Sequence, residues 1–329
     1  MTNIRTKSPE DWTRMGLVGR SEPFLQAMAA ISRLARVDVP VLIYGETGTG
    51  KELAARALHY LGKRGDRPFV PVDCGALPET LFEDELFGHV RGAFTDARSN
   101  AAGLIAQAEG GTLFFDEIHV LSARSQAALL RFLQDFTYRP LGATQSRHAD
   151  VRILAATNRD LCQGVEQGWF REDLSYRLNV ANVRMPSLRE RPGDIPQLVA
   201  ACVSRFCARY GKSACRFDEA SLAWIASQPW RGNVRELENF VQRALLACEG
   251  ELIQLEDCAG KTVETAALAM PSFNQARAQA IVAFESAYLR AVLAQSQGNV
   301  SAAARQAGKE RRVFGRLLKK HGIDRSEYL

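Results

Sequence analysis

The chain has 329 residues, with 42 Lys and Arg against 37 Asp and Glu, a formal charge of +5, and 46% hydrophobic residues. That length suits two or three domains with proper cores, and the composition excludes disordered and fibrous classes. The longest apolar runs, such as Val39 to Tyr44, are too short to cross a bilayer; the N-terminus lacks a signal-peptide core, and seven cysteines without a CxxC pair argue against a disulfide framework.

A cytoplasmic protein with reduced thiols and no membrane partner is therefore expected. Its charge is unevenly placed. Residues 299–329 hold eight basic and three acidic side chains, whereas the rest of the chain carries 34 of each sign. A neutral body with a basic tip points to a polyanion-binding module at one end.

In chain order, a polar lead-in over residues 1–16 gives way to alternating strand and helix signals from about Val18 to Asn182. Val39-Pro-Val-Leu-Ile-Tyr44 is a short β-rich run ending at glycine, and a helical stretch follows from Lys51 to Leu61. Phe69-Val-Pro-Val72, Gly111-Thr-Leu-Phe-Phe115 and Val151-Arg-Ile-Leu-Ala-Ala156 are further apolar runs. Continuous apolar strands separated by helices predict an α/β fold with a parallel sheet covered on both faces. From Asp194 to about Leu255 the pattern reads as all-helical, with apolar spacing at Leu222, Ile225, Ala226 and at Leu237, Val241, Leu245. Residues 259–273 lack an amphipathic period and read as a linker, and a small helical unit follows over 274–329.

Gly45-Glu46-Thr47-Gly48-Thr49-Gly50-Lys51 follows a buried-strand pattern and opens a helix, the context a P-loop needs. Glycines let backbone amides face phosphate oxygens, the helix N-terminus adds its positive end, and Lys51 reaches the β- and γ-phosphates. Glu52 stands where the general motif has the Ser or Thr that touches Mg²⁺, so the metal must be held by other groups or water. About 65 residues on, an apolar run ends in Asp116-Glu117. Asp116 is placed to hold Mg²⁺, and Glu117 to orient or deprotonate the attacking water, since phosphoryl transfer needs positioned charge.

Glu85-Leu-Phe-Gly-His-Val-Arg-Gly92-Ala93-Phe94-Thr95-Asp96-Ala97 resembles the ELFGHxxGAFTGA segment of sigma-54-dependent transcriptional activators, the bacterial enhancer-binding AAA+ ATPases. The phosphate loop with its Glu52 is similar to that family's. So, in the same order, are Ala155–Asn158, Phe170–Leu178, Pro186–Ile195 and Trp230–Leu237. The resemblance covers about residues 17–258. It implies an AAA+ core over 17–186 and a helical lid over 187–258.

The resemblance also implies roles. Residues Gly45 to Glu52 form the ATP cradle, Asp116 and Glu117 serve metal and water, and Asn158 is the first sensor. Arg171 and Arg177 are arginine fingers inserted into a neighbouring subunit's site, which makes hydrolysis depend on a ring, expected to be hexameric. Arg235 is the second sensor. Gly92 to Ala97 form the loop that presses on sigma-54, with Phe94 and Thr95 as contacts.

Three positions depart from the family pattern. Asp96 replaces a Gly, adding charge and removing backbone freedom. Asp73 replaces an Asn that engages the catalytic glutamate, and a carboxylate there accepts that hydrogen bond only if one partner is protonated. Pro140, beside Arg139, occupies a position that is usually Arg.

At the basic tip, Phe284, Tyr288, Leu289, Val292 and Leu293 give one helix its apolar stripe. Asn299 reads as the N-cap of a second helix over Ser301–Gln306, Gly308 as a turn, and Glu310–His321 as a third helix stopped by Gly322. The arrangement is similar to the Fis-type helix-turn-helix of sigma-54 activators. Arg311, Arg312 and Arg316 are candidates for base or phosphate contacts on double-stranded DNA, and Lys319 and Lys320 for phosphate. Lys309 joins them, at a position that is usually apolar. Gly315 weakens the third helix.

Together these readings imply an activator that binds upstream DNA and uses ATP and Mg²⁺ to remodel the closed promoter complex of sigma-54 RNA polymerase. The alternative is a DNA-binding AAA+ regulator of the same build that does not engage sigma-54, for which Asp96 is the argument. With only a short lead-in before the ATPase region, no receiver domain is expected there, and control by a partner protein in trans or by expression is expected.

Overall fold

The computed structural model describes residues 12–13, 15–95, 97–248, 250–254, 288–289, 292–294, 296, 299–309 and 311–320. Asp96, the 259–273 linker, Phe284, Gly322 and the side chains of Lys319 and Lys320 lie outside them. The chain divides into two compact units, residues 1–261 and 262–329.

In the first unit, helix α1 (Glu22–Leu34) precedes strand β1 (Val41–Tyr44), helix α2 (Lys51–Tyr60) and strand β2 (Phe69–Asp73). Helix α3 (Glu79–Phe87) leads into the short pair β3 (Gly88–His89) and β4 (Ala101–Ala102). After α4 (Leu104–Gln107) come β5 (Thr112–Asp116) and α5 (Ala123–Asp135). A second hairpin follows, β6 (Thr137–Tyr138) with β7 (Arg147–His148), then β8 (Arg152–Thr157), α6 (Leu161–Glu166), α7 (Glu172–Leu178) and β9 (Ala181–Arg184). Five strands form one parallel sheet in the order β2-β5-β8-β1-β9.

The apolar strand runs have a direct explanation. Leu42, Phe115 and Ile153 pack on one face with Leu129 and Phe132, while Ile43, Phe114 and Leu154 pack on the other with Ile31 and Leu58. Successive side chains of a strand point to opposite faces, and here both faces are covered. The strands' C-terminal ends therefore line up one edge of the sheet, where Tyr44, Asp116 and Thr157 lead into the segments described below.

Residues 195–253 carry the helices α8 (Ile195–Tyr210), α9 (Glu219–Ser227) and α10 (Asn233–Ala247) around a separate apolar cluster. The all-helical expectation is corrected here. Two-residue strands β10 (Arg216–Phe217) and β11 (Leu252–Ile253) pair in parallel, joining the α8–α9 connection to the segment after α10. Strands this short carry no readable periodicity.

In the second unit, helix α11 (Val300–Gln306) and helix α12 (Arg311–Lys320) pack on Leu289, Val292 and Leu293 through Ala303, Ala304, Phe314 and Leu318. Asn299 caps α11, its side-chain oxygen accepting from the Ser301 and Ala302 amides at 3.1 and 3.2 Å. Gly308 turns the chain at φ +62°, a left-handed conformation that glycine adopts without cost. Tyr288 does not join the predicted stripe: it is 44% exposed. Among the described residues no helix is long and apolar enough to cross a membrane.

Candidate functional site

The loop from Gly45 to Gly50 joins β1 to α2 and wraps the N-terminus of that helix. Thr49 is buried and donates its hydroxyl to the Glu46 carbonyl at 2.8 Å, tightening the loop. Lys51 folds back over it, donating from Nζ to the carbonyls of Gly45 at 2.9 Å and Glu46 at 3.1 Å. Gly48, at φ +79°, is required by close approach as well: a Cβ there would lie 2.1 Å from the Gly232 carbonyl oxygen. Glu52, on the first turn of α2, pairs with Arg56 at 2.8 Å.

Strands β2 and β5 place Asp73 and Asp116 side by side. The Asp116 carboxylate accepts from the Glu117 amide at 2.9 Å. Glu117 is left-handed at φ 52°, an uncommon and costly conformation for a residue with a side chain. Burial pushes the Asp116 carboxyl up, the Lys51 ammonium opposes this, and the negative charges of Glu117 and Asp73 reinforce it. Burial pushes the Lys51 ammonium down, with Asp116 and Glu117 opposing. The Asp73 carboxylate turns to its own loop, accepting from the amides of Gly75 at 2.9 Å and Ala76 at 3.2 Å.

Lys51, Asp116 and Glu117, but not Asp73, line a pocket of about 290 Å³. One end holds Lys51, Asp116 and Glu117; Gly16, Leu17, Val18, Phe24, Leu198 and Val234 supply apolar wall, and Arg235 reaches in from the first turn of α10. The pocket fits a nucleoside triphosphate: a positive helix end, glycine amides and an ammonium suit phosphates, and the apolar wall suits a flat base. A magnesium ion fits through Asp116, since Mg²⁺ bound with phosphates needs only one or two protein carboxylates. Among the described residues, no cluster of three or more metal-ligating side chains competes for that role.

The other predicted residues sit elsewhere. Asn158, just past β8, donates to the Thr47 hydroxyl at 2.9 Å and lines a second cavity of about 450 Å³ with Tyr44, Gly45 and Glu46. Arg171, at the start of α7, and Arg177, in its last turn, are exposed, and neither lines the pocket of its own chain. Arg171 is paired with Asp173 at 2.8 Å, which raises its already high pKa. Pro140 is buried in the turn after β6, with Arg139 exposed beside it.

The loop after β3 is closed by the Gly92 amide donating to the Ala97 carbonyl at 2.9 Å, and by the Ala97 amide donating to the Phe94 carbonyl at 3.0 Å. Ala93 packs against Gly142, Ala97 is buried, and Thr95 is exposed. Phe94 is 43% exposed at the tip, its ring edge-on to His89 at 5.0 Å, and His89 in turn meets Asp84 at 2.7 Å. In the second unit Lys309, just before α12, and Arg311, Arg312 and Arg316 on it are exposed, whereas Phe314 and Leu318 are buried.

Sequence reasoning missed the pocket wall of Val18, Phe24, Arg191, Leu198 and Glu238. The available signal was Arg191-Pro-Gly-Asp194, two charges bracketing a Pro-Gly turn ahead of an apolar helix.

The Sigma-54 interaction domain family matches residues 17–184, and the AAA+ ATPase lid domain family matches residues 189–272. The chain is 42% identical over 319 residues to the transcriptional regulatory protein GlrR of Escherichia coli K12, covering 97% of this chain and 70% of that one. It is 50% identical over 229 residues to the DNA-binding transcriptional regulator NtrC of Rhizobium meliloti, spanning 70% of this chain and 47% of that protein. Among solved structures, NtrX of Brucella abortus in complex with ATP superposes with a TM-score of 0.70 at 32% identity, over 93% of this chain and 69% of that one. A parallel sheet with a phosphate loop, a lid region docked on that loop, and a sigma-54 interaction domain over half the chain lead to one assignment: the chain belongs to the sigma-54-dependent transcriptional regulators, a family of AAA+ ATPases.

Proposed function

We propose that this protein is an ATP-driven activator that remodels the closed promoter complex of sigma-54 RNA polymerase in the cytoplasm. The observation that carries this reading is the convergence of Lys51, Asp116, Glu117 and Arg235, from three separate segments, on one pocket. Lys51 and the loop amides of residues 45–51 hold the phosphates, and Asp116 holds Mg²⁺, which neutralises charge on the transferring group. Glu117 orients the attacking water from its fixed left-handed backbone, and Arg235 brings a lid cation to the phosphate end. Asn158 reads the phosphates through Thr47, its present partner.

Arg171 and Arg177 serve a neighbouring copy. Both are exposed outside their own pocket, so a ring, in this reading a hexamer, completes each site in trans. The Gly92–Ala97 loop, with Phe94 at its tip, delivers the motion to sigma-54. The α11–α12 pair acts as a helix-turn-helix, with Lys309, Arg311, Arg312, Arg316, Lys319 and Lys320 facing double-stranded DNA upstream of the promoter. The domain division that goes with this is an ATPase core over 17–186, a lid over 187–258, a linker over 259–273 and a DNA-binding domain over 274–329.

ATPase measurements over a range of protein concentrations test this reading. The rate per subunit should rise steeply as rings assemble, and Lys51→Ala should abolish it. A rate per subunit independent of concentration would refute completion in trans, and absence of hydrolysis at every concentration would refute the activity.

A further inference from the structure

We propose that Asp194 is a positioning residue for the nucleobase end of the pocket, acting through the backbone of Arg20 and Ser21 and through Arg191. The proposal rests on the nucleotide reading above and adds a residue that does not itself line the pocket.

With the phosphates at Lys51, a base reaches the apolar wall formed in part by Gly16, Leu17, Val18 and Phe24. Gly16, Leu17 and Val18 lie in the segment entering α1 and Phe24 on its first turn, with Arg20 and Ser21 at the join. Asp194 holds it. Its carboxylate is 2% exposed and takes three hydrogen bonds: the Arg20 amide at 2.7 Å and the Ser21 amide at 2.9 Å on Oδ1, and the Ser21 hydroxyl at 2.7 Å on Oδ2.

Two details separate this from an ordinary helix cap. Asp194 occupies the N-cap position of α8 yet makes no side-chain cap bond to that helix. Ser21 occupies the N-cap of α1 and likewise caps nothing with its own side chain, its hydroxyl being given to Asp194. The carboxylate thus stands at the start of α1, where a negative charge is favoured, and leaves its own helix end to other groups.

Arg191 completes the arrangement. It is 3% exposed, donates to the Val18 carbonyl at 3.3 Å, and lies 3.9 Å from the Asp194 carboxylate and 5.1 Å from the Phe24 ring centre. Burial pushes the Arg191 guanidinium down, and the Asp194 charge opposes this. Burying two charges costs more than apolar packing of the same volume, so such a pair is better suited to fixing one geometry than to adding stability. Here it sets Val18 and Phe24 against the lid region. There is no slack at the junction: a Cβ on Gly19 would lie 2.6 Å from Asp194 Oδ2 and 2.7 Å from the Phe24 ring.

The test separates base from phosphate. Dissociation constants for ATP and for inorganic tripolyphosphate, both with Mg²⁺, are measured by calorimetry on the full chain, with thermal melting to confirm folding. Asp194→Ala should weaken ATP by about tenfold, the scale of one lost positioning interaction, while tripolyphosphate changes less than about twofold. Ser21→Ala, a milder change, should move the ATP-to-tripolyphosphate ratio in the same direction by about threefold. It carries the test should Asp194→Ala fail to fold. A ratio unchanged in a folded variant, whether both ligands weaken together or neither does, would overturn the proposal. Wild-type protein that binds neither ligand would instead remove the nucleotide reading on which it rests.

Discussion

Asn233 donates its side-chain amide to the Thr47 carbonyl at 3.0 Å, joining the lid region to the phosphate loop across 186 positions of sequence. The same side chain accepts from the Leu188 amide at 2.7 Å, and the next residue's amide donates to the Gly48 carbonyl at 3.0 Å. Asn233 is fully buried and left-handed at φ 55°. The lid region thus bonds directly to the phosphate loop through Asn233 and Val234.

Asn233→Ala removes these buried hydrogen bonds and leaves a β-carbon in a disfavoured backbone region. We expect a loss of about 2–4 kcal/mol in denaturant unfolding. Asn233→Gly relieves the backbone but not the lost bonds, so it should fall between wild type and the alanine variant. A glycine variant less stable than the alanine variant would contradict the backbone argument.

Asp116 gives a prediction with a definite sign. Its folded-state pKa is raised by burial, so the folded protein binds this proton more tightly than the unfolded chain does. The cost of the carboxylate is absent at low pH and appears as pH rises through the raised value. Asp116→Asn should therefore melt higher than wild type at neutral pH, with the difference shrinking on acidification, while losing Mg²⁺-dependent hydrolysis. Equal melting temperatures at both pH values would show that the site stores no such cost.

Arg177 is exposed in the last turn of α7, away from its own pocket. Arg177→Ala should retain ATP binding and lose hydrolysis by about 10³-fold, the scale of an arginine finger. Mixing it with Lys51→Ala subunits, which keep the arginine but not the phosphate site, should restore part of the rate. Mixtures no more active than either variant alone would argue against a finger in trans.

Gly315 lies inside α12, and a Cβ built there meets nothing within 4 Å. Gly315→Ala should stabilise the second unit by about 1 kcal/mol through helix propensity alone. Helicity of residues 262–329, followed by circular dichroism on heating the full chain and its Gly315→Ala variant, checks this; a lower melting point in the variant would contradict it.

How much could be read from the sequence depended on whether the cause was local. Strands β1, β5 and β8 are covered on both faces, so their apolar runs were visible, and the loop from Gly45 to Lys51 is a single continuous motif. Edge strand β9, with Asn182 and Arg184 exposed, leaves no such run. Tyr288 followed the apolar period of its helix but stands 44% exposed, because period places a residue on a face and not in a core. The base end of the pocket was hidden for a different reason. Val18, the stretch holding Arg191 and Leu198, and Val234 are far apart in the chain, and only folding brings the buried Asp194 to Ser21.

In the proposed function, hydrolysis at the pocket drives sigma-54 remodelling through the Phe94 loop. Promoter melting by sigma-54 RNA polymerase, read as reactivity of unpaired thymines at a promoter with an upstream site, tests it most directly. We predict melting with wild-type protein and ATP, none without ATP, and none with a Phe94→Ala variant that still hydrolyses ATP. Melting by the Phe94→Ala variant, or melting without ATP, would contradict the account.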